Sequence, residues 1–418
     1  MSPFRKMLLL VVRGLATALN FAVGLALSNF VSVSAFNAFG YLHSSLNFSS
    51  MMGMLGFNTL ALKKAAETED RKSGVGLLFS LILISGLLTL LAALIVSTFI
   101  NDKFSSVGYL FFLMFPLAVA CFTATRIISD WNKGKERQFV AVFLESRVWL
   151  LLFLPLVVLF REQMKQNVGL MLHSYFVAMI LASVVSFFSI RRIGPKRTDL
   201  SLSEAVGAGK RLMSLSKLSW QYYVLQLCNV AQDYLLIFYA ERYLEPFELT
   251  ALLIATRFGG VMVTVSGVLV NIYAPKFVKM YDSGNGVDLV RLFRESKSIN
   301  ATLLILMLAC FVVFDEFILS LFHDGLIDPK YSVVFLLTLI PYALRIPFGL
   351  QEYYLSMTQG SGLDAIVFAS VLVISVTLLL HMDKSIVNLI GVISSGVLIR
   401  SITNSVFTVR KINNCLKS

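Results

Sequence analysis

Apolar stretches of about 20 residues recur along the whole chain, and each is long enough to cross a bilayer as a helix. The 418-residue sequence is 57% hydrophobic and 14% charged, whereas soluble proteins carry about a quarter charged residues. The chain is therefore expected to be an integral membrane protein. The apolar windows predict twelve spans, at residues 7–28, 36–61, 75–99, 107–129, 139–160, 169–190, 219–240, 247–273, 299–321, 332–355, 364–381 and 386–408.

The first apolar run follows Arg5 and Lys6, as the apolar part of a secretory signal sequence does. However, Arg13 interrupts the run, which continues to about Leu27 without a convincing small-residue cleavage site. We therefore interpret this run as a retained first span.

The distribution of basic residues predicts the orientation of the spans. With twelve spans, both termini and five connections lie on one side and carry 24 Lys and Arg residues, whereas the connections on the other side carry 6. Lys and Arg accumulate on the cytoplasmic side of membrane proteins. We expect both termini in the cytoplasm, and the net charge of +12 is then mainly a topology signal that does not call for nucleic acid as a partner.

Two neighbouring spans each place one charge at a depth where lipid penalises it. By helical rise, Asp233 lies about 10 Å and Arg257 about 15 Å from the acidic turn at 241–246 that joins the two spans. Gln226 and Asn229 precede Asp233 at helical spacing. We expect Asp233 and Arg257 to meet on polar helix faces that line a watery cavity.

The longest stretch between spans, 191–218, is basic and separates six spans from six. We predict an N-terminal bundle at 1–190, a cytoplasmic linker at 191–218 and a C-terminal bundle at 219–418. Whether the linker is a surface helix or an irregular segment stays open. The predicted fold class is an all-α polytopic membrane protein, with about twelve transmembrane helices in two pseudo-symmetric six-helix bundles around a central cavity.

The chain resembles the polysaccharide-transporter family of Wzx-type O-antigen flippases, within the multidrug/oligosaccharidyl-lipid/polysaccharide exporter superfamily. The spacing of the resemblance covers nearly the whole chain, although Glu248 stands where the family more often has Gly. The residues that carry it are Phe39-Gly40-Tyr41, Gly56, Lys63-Lys64, Asp233, Ala255-Thr256-Arg257, Ala274-Pro275-Lys276 and Leu289-Val290-Arg291-Leu292-Phe293.

The resemblance implies a non-enzymatic flippase in a bacterial inner membrane. Its substrate would be an undecaprenyl-diphosphate-linked oligosaccharide, moved from the cytoplasmic to the periplasmic leaflet for lipopolysaccharide or related polysaccharide export. The mechanism would be alternating access, driven by a H⁺ or Na⁺ gradient or by substrate supply. The implied partners are the lipid-linked substrate, membrane lipids and other polysaccharide assembly proteins, and no cofactor is implied.

Six arginines fall inside predicted spans, and when they are set against Glu145, Asp233 and Glu352 they leave a surplus of three positive charges. Guanidinium binds phosphate through a planar fork, so the surplus favours an electropositive cavity for an anionic headgroup. The alternative, that each Arg is the structural partner of an acid or a carbonyl, stays open. The predicted substrate-binding residues are Arg13, Arg147, Arg257, Arg345, Arg400, Asn20 and Asn229. The residues predicted for ion coupling or structural pairing are Asp233, Glu145 and Glu352.

Two other functions compete with flipping. A cation-coupled multidrug exporter of the same fold should have an acidic or aromatic cavity. A membrane-embedded glycosyltransferase or polymerase generally needs a large outer loop with catalytic residues, and here the outer connections are predicted to be about ten residues or fewer. No nucleotide-binding fingerprint or metal-ligand spacing is visible in the sequence.

The topology is testable with reporter fusions. Fusions after Lys72, Lys135 and Arg197 should report a cytoplasmic location, and fusions at Lys103 and Asp383 a periplasmic one, because of the basic-residue distribution. Alkaline phosphatase and green fluorescent protein activities measure the two outcomes. A periplasmic report at Arg197 would contradict the assignment, since the connection that contains it is the most basic.

Overall fold

The computed structural model describes residues 18–67, 71–104, 107–135, 137–144, 148–191, 202–282, 286–348 and 361–417. Within these ranges the regular structure is helical throughout. The contacts divide the chain into two compact units, Met1–Val230 and Ala231–Ser418.

Nine helices of the described residues belong to the first unit. In chain order they are α1 (Ala18–Phe30), α2 (Val33–Met54), α3 (Phe57–Glu67), α4 (Arg71–Phe104), α5 (Tyr109–Gly134), α6 (Gln138–Leu144), α7 (Val148–Leu159), α8 (Arg161–Gln166) and α9 (Val168–Arg191).

The unit boundary falls inside the next helix, which also includes the second part of the predicted linker. This helix and those of the second unit are α10 (Leu202–Tyr243), α11 (Pro246–Asp282), α12 (Gly286–Phe322), α13 (Pro329–Arg345), α14 (Ser361–His381) and α15 (Ile386–Lys417). Residues 202–218 are therefore helical and continuous with the span that follows.

The all-α membrane fold predicted from the apolar windows is confirmed. Eight segments of the described residues are long and apolar enough to cross a membrane, and they coincide with eight of the twelve predicted spans. The predicted span 36–61 is broken: α2 ends at Met54, and Leu55 (φ 46°) and Gly56 (φ 76°) adopt left-handed conformations before α3 begins. Glycine makes such a break inexpensive because it has no Cβ to clash.

Prolines shape the predicted span 332–355. Pro341 lies inside α13, which continues as a helix to Arg345. A short 3-10 helix, Ile346–Phe348, then replaces the α-helix. This change occurs just before Pro347, as expected from the missing amide hydrogen and the ring clash of proline.

Helix α5 is the centre of the first unit, where it packs against α2, α3, α4 and α9. Apolar side chains gain little from association inside lipid, so close backbone approach and shape decide such packing. Two glycines permit that approach: a Cβ on Gly53 of α2 would meet the backbone of Thr89 of α4, and one on Gly134 of α5 would meet the backbone of Leu62 of α3.

Aromatic rings fill much of the core of the second unit. Helix α11 packs against α12 and α13. The ring of Phe258 lies 5.2 Å from that of Phe311, 5.6 Å from that of Phe335 and 6.5 Å from that of Phe322. All three contacts are edge-to-face, the arrangement that aromatic pairs favour.

An ion-pair cluster joins the turn between α10 and α11 to the start of α13. Lys330 Nζ lies 2.9 Å from Glu248 and 3.0 Å from Glu245. The carboxylates of Glu248 and Glu245 raise the pKa of Lys330, and Glu248 has the larger effect. The stabilisation that the cluster supplies is therefore complete below the unfolded-state pKa of lysine and is lost only as the pH rises through the raised value.

The close contact at Gly53 predicts a sharp difference between two glycine substitutions. Gly53→Ala should lower stability by about 1–3 kcal/mol because the added Cβ forces α2 and α4 apart. Gly86→Ala in α4 is the control, since a Cβ at Gly86 meets no atom within 4 Å. Thermal unfolding in detergent measures both, and equal unfolding temperatures would contradict the packing argument.

Candidate functional site

The candidate site is a polar group of α10 and α13 in the second unit. Asp233 of α10 is exposed at the surface of the protein, and the opposing charge of Arg345 acts on it. Tyr342 experiences the charges of both Asp233 and Arg345. Tyr342 and Arg345 are three residues apart on α13 and so share a helix face.

Close packing by α11 positions this group. A Cβ on Gly259 would occupy the space of the Tyr342 ring, so glycine is what allows α11 to lie directly against that side chain. Any larger residue would displace Tyr342. Since Tyr342 lies in the fields of both Asp233 and Arg345, the geometry of the polar group depends on this contact.

Arg257 is on the same helix as Gly259 but on a different face. Residues two positions apart in a helix point about 200° from each other, so the half-buried Arg257 points away from the contact between Gly259 and Tyr342. The predicted pairing of Asp233 with Arg257 stays a prediction. In the structure, the positive charge of Arg345 acts on Asp233.

Arg400 takes part in a buried ion pair between α14 and α15. Its Nε donates to Asp364 Oδ1 at 2.9 Å, and a terminal nitrogen donates to Oδ2 at 3.0 Å. Asn404 Nδ2 donates to Asp364 Oδ1 at 2.8 Å. The guanidinium carbon lies 3.9 Å from the centroid of the Phe368 ring. The fork of Arg400 is therefore already matched by a carboxylate, with a ring stacked on its plane.

Asp364 is the residue that sequence reasoning missed. The charge census counted Glu145, Asp233 and Glu352 as intramembrane acids and left out Asp364, which stands at the first position of its predicted span. Glu248, Asp315 and Glu316 also fall within the predicted spans, so seven acidic residues stand against six arginines and the sequence has no surplus of positive charge there. The spacing of Arg400 and Asn404, one helical turn apart, was the available indication of a polar partner on a neighbouring helix.

The other predicted site residues are placed as follows. Asn20 is half-buried on α1. Asn229 of α10 donates its side-chain amide to the carbonyl of Leu225 on its own helix, at 2.8 Å. Four predicted site residues lie outside the described residues, namely Arg13, Arg147, Glu145 and Glu352.

A separate cavity of about 610 Å³ lies in the first unit, at the end where α2, α5 and α9 begin. Its polar lining consists of side chains without formal charge, including those of Ser34, Gln166 and Asn167, together with His173. Nε2 of His173 is buried and has no hydrogen-bond partner. In the described residues no group of His, Cys, Asp and Glu side chains has the arrangement of a metal site.

The buried ion pair predicts a large stability effect with a matched control. Asp364→Asn or Arg400→Gln should each destabilise the protein by about 3–5 kcal/mol, because each leaves a buried charge without its partner. Arg410→Gln on the same helix removes an exposed charge and should have little effect. Thermal unfolding measures the three variants.

A double replacement checks that the pair is the cause. Asp364→Leu combined with Arg400→Met should recover much of the lost stability, since no charge is then left unpaired. Additive losses in the double variant would contradict this account. If Arg400→Gln were fully stable but inactive in transport, the predicted role of Arg400 in substrate binding would be favoured instead.

No family model and no curated protein sequence matches the chain. Several solved structures, in contrast, are similar to the chain. An inward-facing multidrug resistance MATE family transporter of the MOP superfamily aligns with a TM-score of 0.67 at 12% identity, over 99% of each chain. An outward-facing structure of such a transporter aligns at 0.62 and 14%, over 99% of this chain and 96% of the other. A mutant of a Vibrio cholerae MATE transporter aligns at 0.63 and 12%, over 98% and 96%. The chain therefore has the fold of the MATE transporters.

Proposed function

We propose that this protein is a secondary transporter that moves its substrate across a bacterial inner membrane by alternating access. The observation that carries the proposal is the whole-chain likeness to MATE transporters, with neighbours described as inward-facing and as outward-facing. A fold that occurs in both conformations suits a substrate site that opens to each side in turn. The cytoplasmic location of both termini belongs to the proposal and rests on the basic-residue distribution.

The first candidate activity is ion-coupled export of small molecules. The similar structures include transporters described as multidrug resistance proteins, and the likeness extends over the whole chain. Asp233 supplies an ionisable group beside Arg345 in the second unit. A carboxylate that exchanges a cation inside a membrane helix is a suitable coupling group for a H⁺ or Na⁺ gradient.

The second candidate is flipping of an undecaprenyl-diphosphate-linked oligosaccharide. A specific observation favours it: the second unit holds two guanidinium groups, of Arg257 in α11 and of Arg345 at the end of α13, with the carboxylate of Asp233 in α10. This balance is net positive and suits an anionic substrate group such as a diphosphate. A site for cationic drugs would have the opposite sign.

One pair of assays separates the candidates. Export of small molecules predicts resistance and dye efflux when the protein is expressed in a host that lacks its own exporters. Flipping predicts that deletion leaves lipid-linked repeat units on the cytoplasmic leaflet and abolishes surface polysaccharide although sugar transfer is intact. If purified protein in vesicles moved neither class of substrate under any ion gradient, the transport proposal would fail.

Substitutions at the two arginines test the sign of the substrate. For an anionic substrate, Arg257→Ala and Arg345→Ala should each lower transport about tenfold or more, because a charge-assisted hydrogen bond is lost. The Lys variants should keep part of the activity, since the charge remains without the fork. Arg242→Ala, at an exposed position at the end of α10, is the control.

Protein abundance has to be measured beside transport in these variants. An arginine that only stabilises the fold would reduce abundance, not the transport rate per molecule. If the two Ala variants were normally abundant and exported cationic dyes as well as or better than the wild type, the flippase candidate would be wrong.

A further inference from the structure

His43 of α2 is enclosed by aromatic residues inside the first unit. Its Nδ1 lies 2.7 Å from the hydroxyl of Tyr175 on α9. The ring of Phe39, one turn earlier on α2, stacks at 6.0 Å with an interplanar angle of 17°. The ring of Trp149 on α7 lies at 5.5 Å. Ten residues separate His43 from the start of α2, which places it about 15 Å along the helix.

The hydrogen bond between His43 and Tyr175 can exist in both charge states of the imidazole. When the imidazole is neutral with Nδ1 unprotonated, Nδ1 accepts the hydroxyl hydrogen of Tyr175. When the ring is an imidazolium, Nδ1 donates to the hydroxyl oxygen of Tyr175. Tyr175 is fully buried, so this partner is held in place. Protonation reverses the direction of the bond without breaking it.

The surrounding rings favour the charged state. A cation within about 6 Å of an aromatic centroid is attracted by the ring quadrupole, and the rings of Phe39 and Trp149 lie at that distance or closer. Trp149 is 5% exposed, yet its Nε1 has no hydrogen-bond partner.

The groups that face His43 from the packed helices can be identified from the helix register. Among the described residues, Tyr175 of α9 is an ionisable group in contact with His43. Helix α7 has no ionisable side chain along its length. The hydroxyl groups of Ser50 on α2 and Thr123 on α5 form a hydrogen bond. This contact fixes the register of the two helices, so the apolar stretch of α5 around Pro116 is level with His43. The stretch 96–100 of α4, which contains no ionisable residue, is level with His43. Asp102 and Lys103 follow it toward the end of α4.

We propose that His43 and Tyr175 form a proton-binding site of the first unit, at which one proton joins the neutral imidazole in one half of the transport cycle and leaves it in the other. The site is reachable because His43 is only partly buried. This inference rests on the proposed transport function and names the proton as a coupling ion, at a residue distinct from Asp233. Proton binding itself can be measured without transport.

Tryptophan fluorescence tests the site directly, because an imidazolium next to an indole quenches its emission. The chain has three tryptophans, and Trp131→Phe with Trp220→Phe leaves Trp149 as the single reporter beside His43. In the full-length protein in nanodiscs, the emission should fall in one titration step between about pH 8 and pH 5. His43→Gln should remove the step.

Two further variants separate proton binding from folding. His173→Gln changes a histidine that lines the cavity of the first unit, two residues from Tyr175 along α9, and should leave the step in place. Tyr175→Phe removes the hydrogen-bond partner and should change the midpoint of the step. If the single-tryptophan protein does not fold, the difference between the curves of the wild type and of His43→Gln gives the same step.

The outcomes are distinct from those that test transport. Absence of the step, or its persistence in His43→Gln, overturns the proton site even where transport is intact. If the fluorescence step is observed but no transport is, the proton site stands and the proposed transport function is wrong. The coupling role requires that the pH dependence of transport be lost in His43→Gln, and an unchanged profile in that variant overturns it.

Discussion

The cost of placing charge and unpaired polar groups in an apolar environment governs this structure. It requires the backbone to be helical inside a bilayer, and it makes partners valuable to charged side chains that are buried in apolar helices. Asp364 and Arg400 show the result most directly, because a carboxylate with 1% exposure and a guanidinium with 5% exposure complete each other's hydrogen bonds. Asn404 adds a further donor to the same carboxylate.

Close approach of helices is the second requirement. Apolar surface alone does not bring helices together in lipid, so the packing depends on positions where a side chain is absent. Gly53 and Gly134 bring helices of the first unit together in this way. Gly259 does so in the second unit, where it sets the position of Tyr342 and thereby the surroundings of Asp233 and Arg345. Packing and site geometry are thus linked through a single missing Cβ.

The two units differ in the chemistry that they enclose. In the second unit, Asp233, Arg257 and Arg345 are ionic groups on long helices, suited to an ion or to an anionic substrate. In the first unit, the enclosed polar pair is His43 with Tyr175 in an aromatic setting, suited to a proton. The proposed transport cycle would use the ionic group for substrate and the imidazole for coupling, and each has its own measurement.

The sequence by itself determined the all-α membrane fold and most span positions, because hydrophobicity and length suffice to identify membrane helices. It also indicated that charges such as Asp233 and Arg400 need special surroundings. Only the tertiary structure decided the partners. Depth along a helix suggested Arg257 for Asp233, and this pairing stays a prediction. The structure shows that the charge of Arg345 acts on Asp233 and that Asp364 pairs with Arg400. The reason is physical: pairing depends on helix rotation and on which neighbours pack together, and one-dimensional periodicity contains neither.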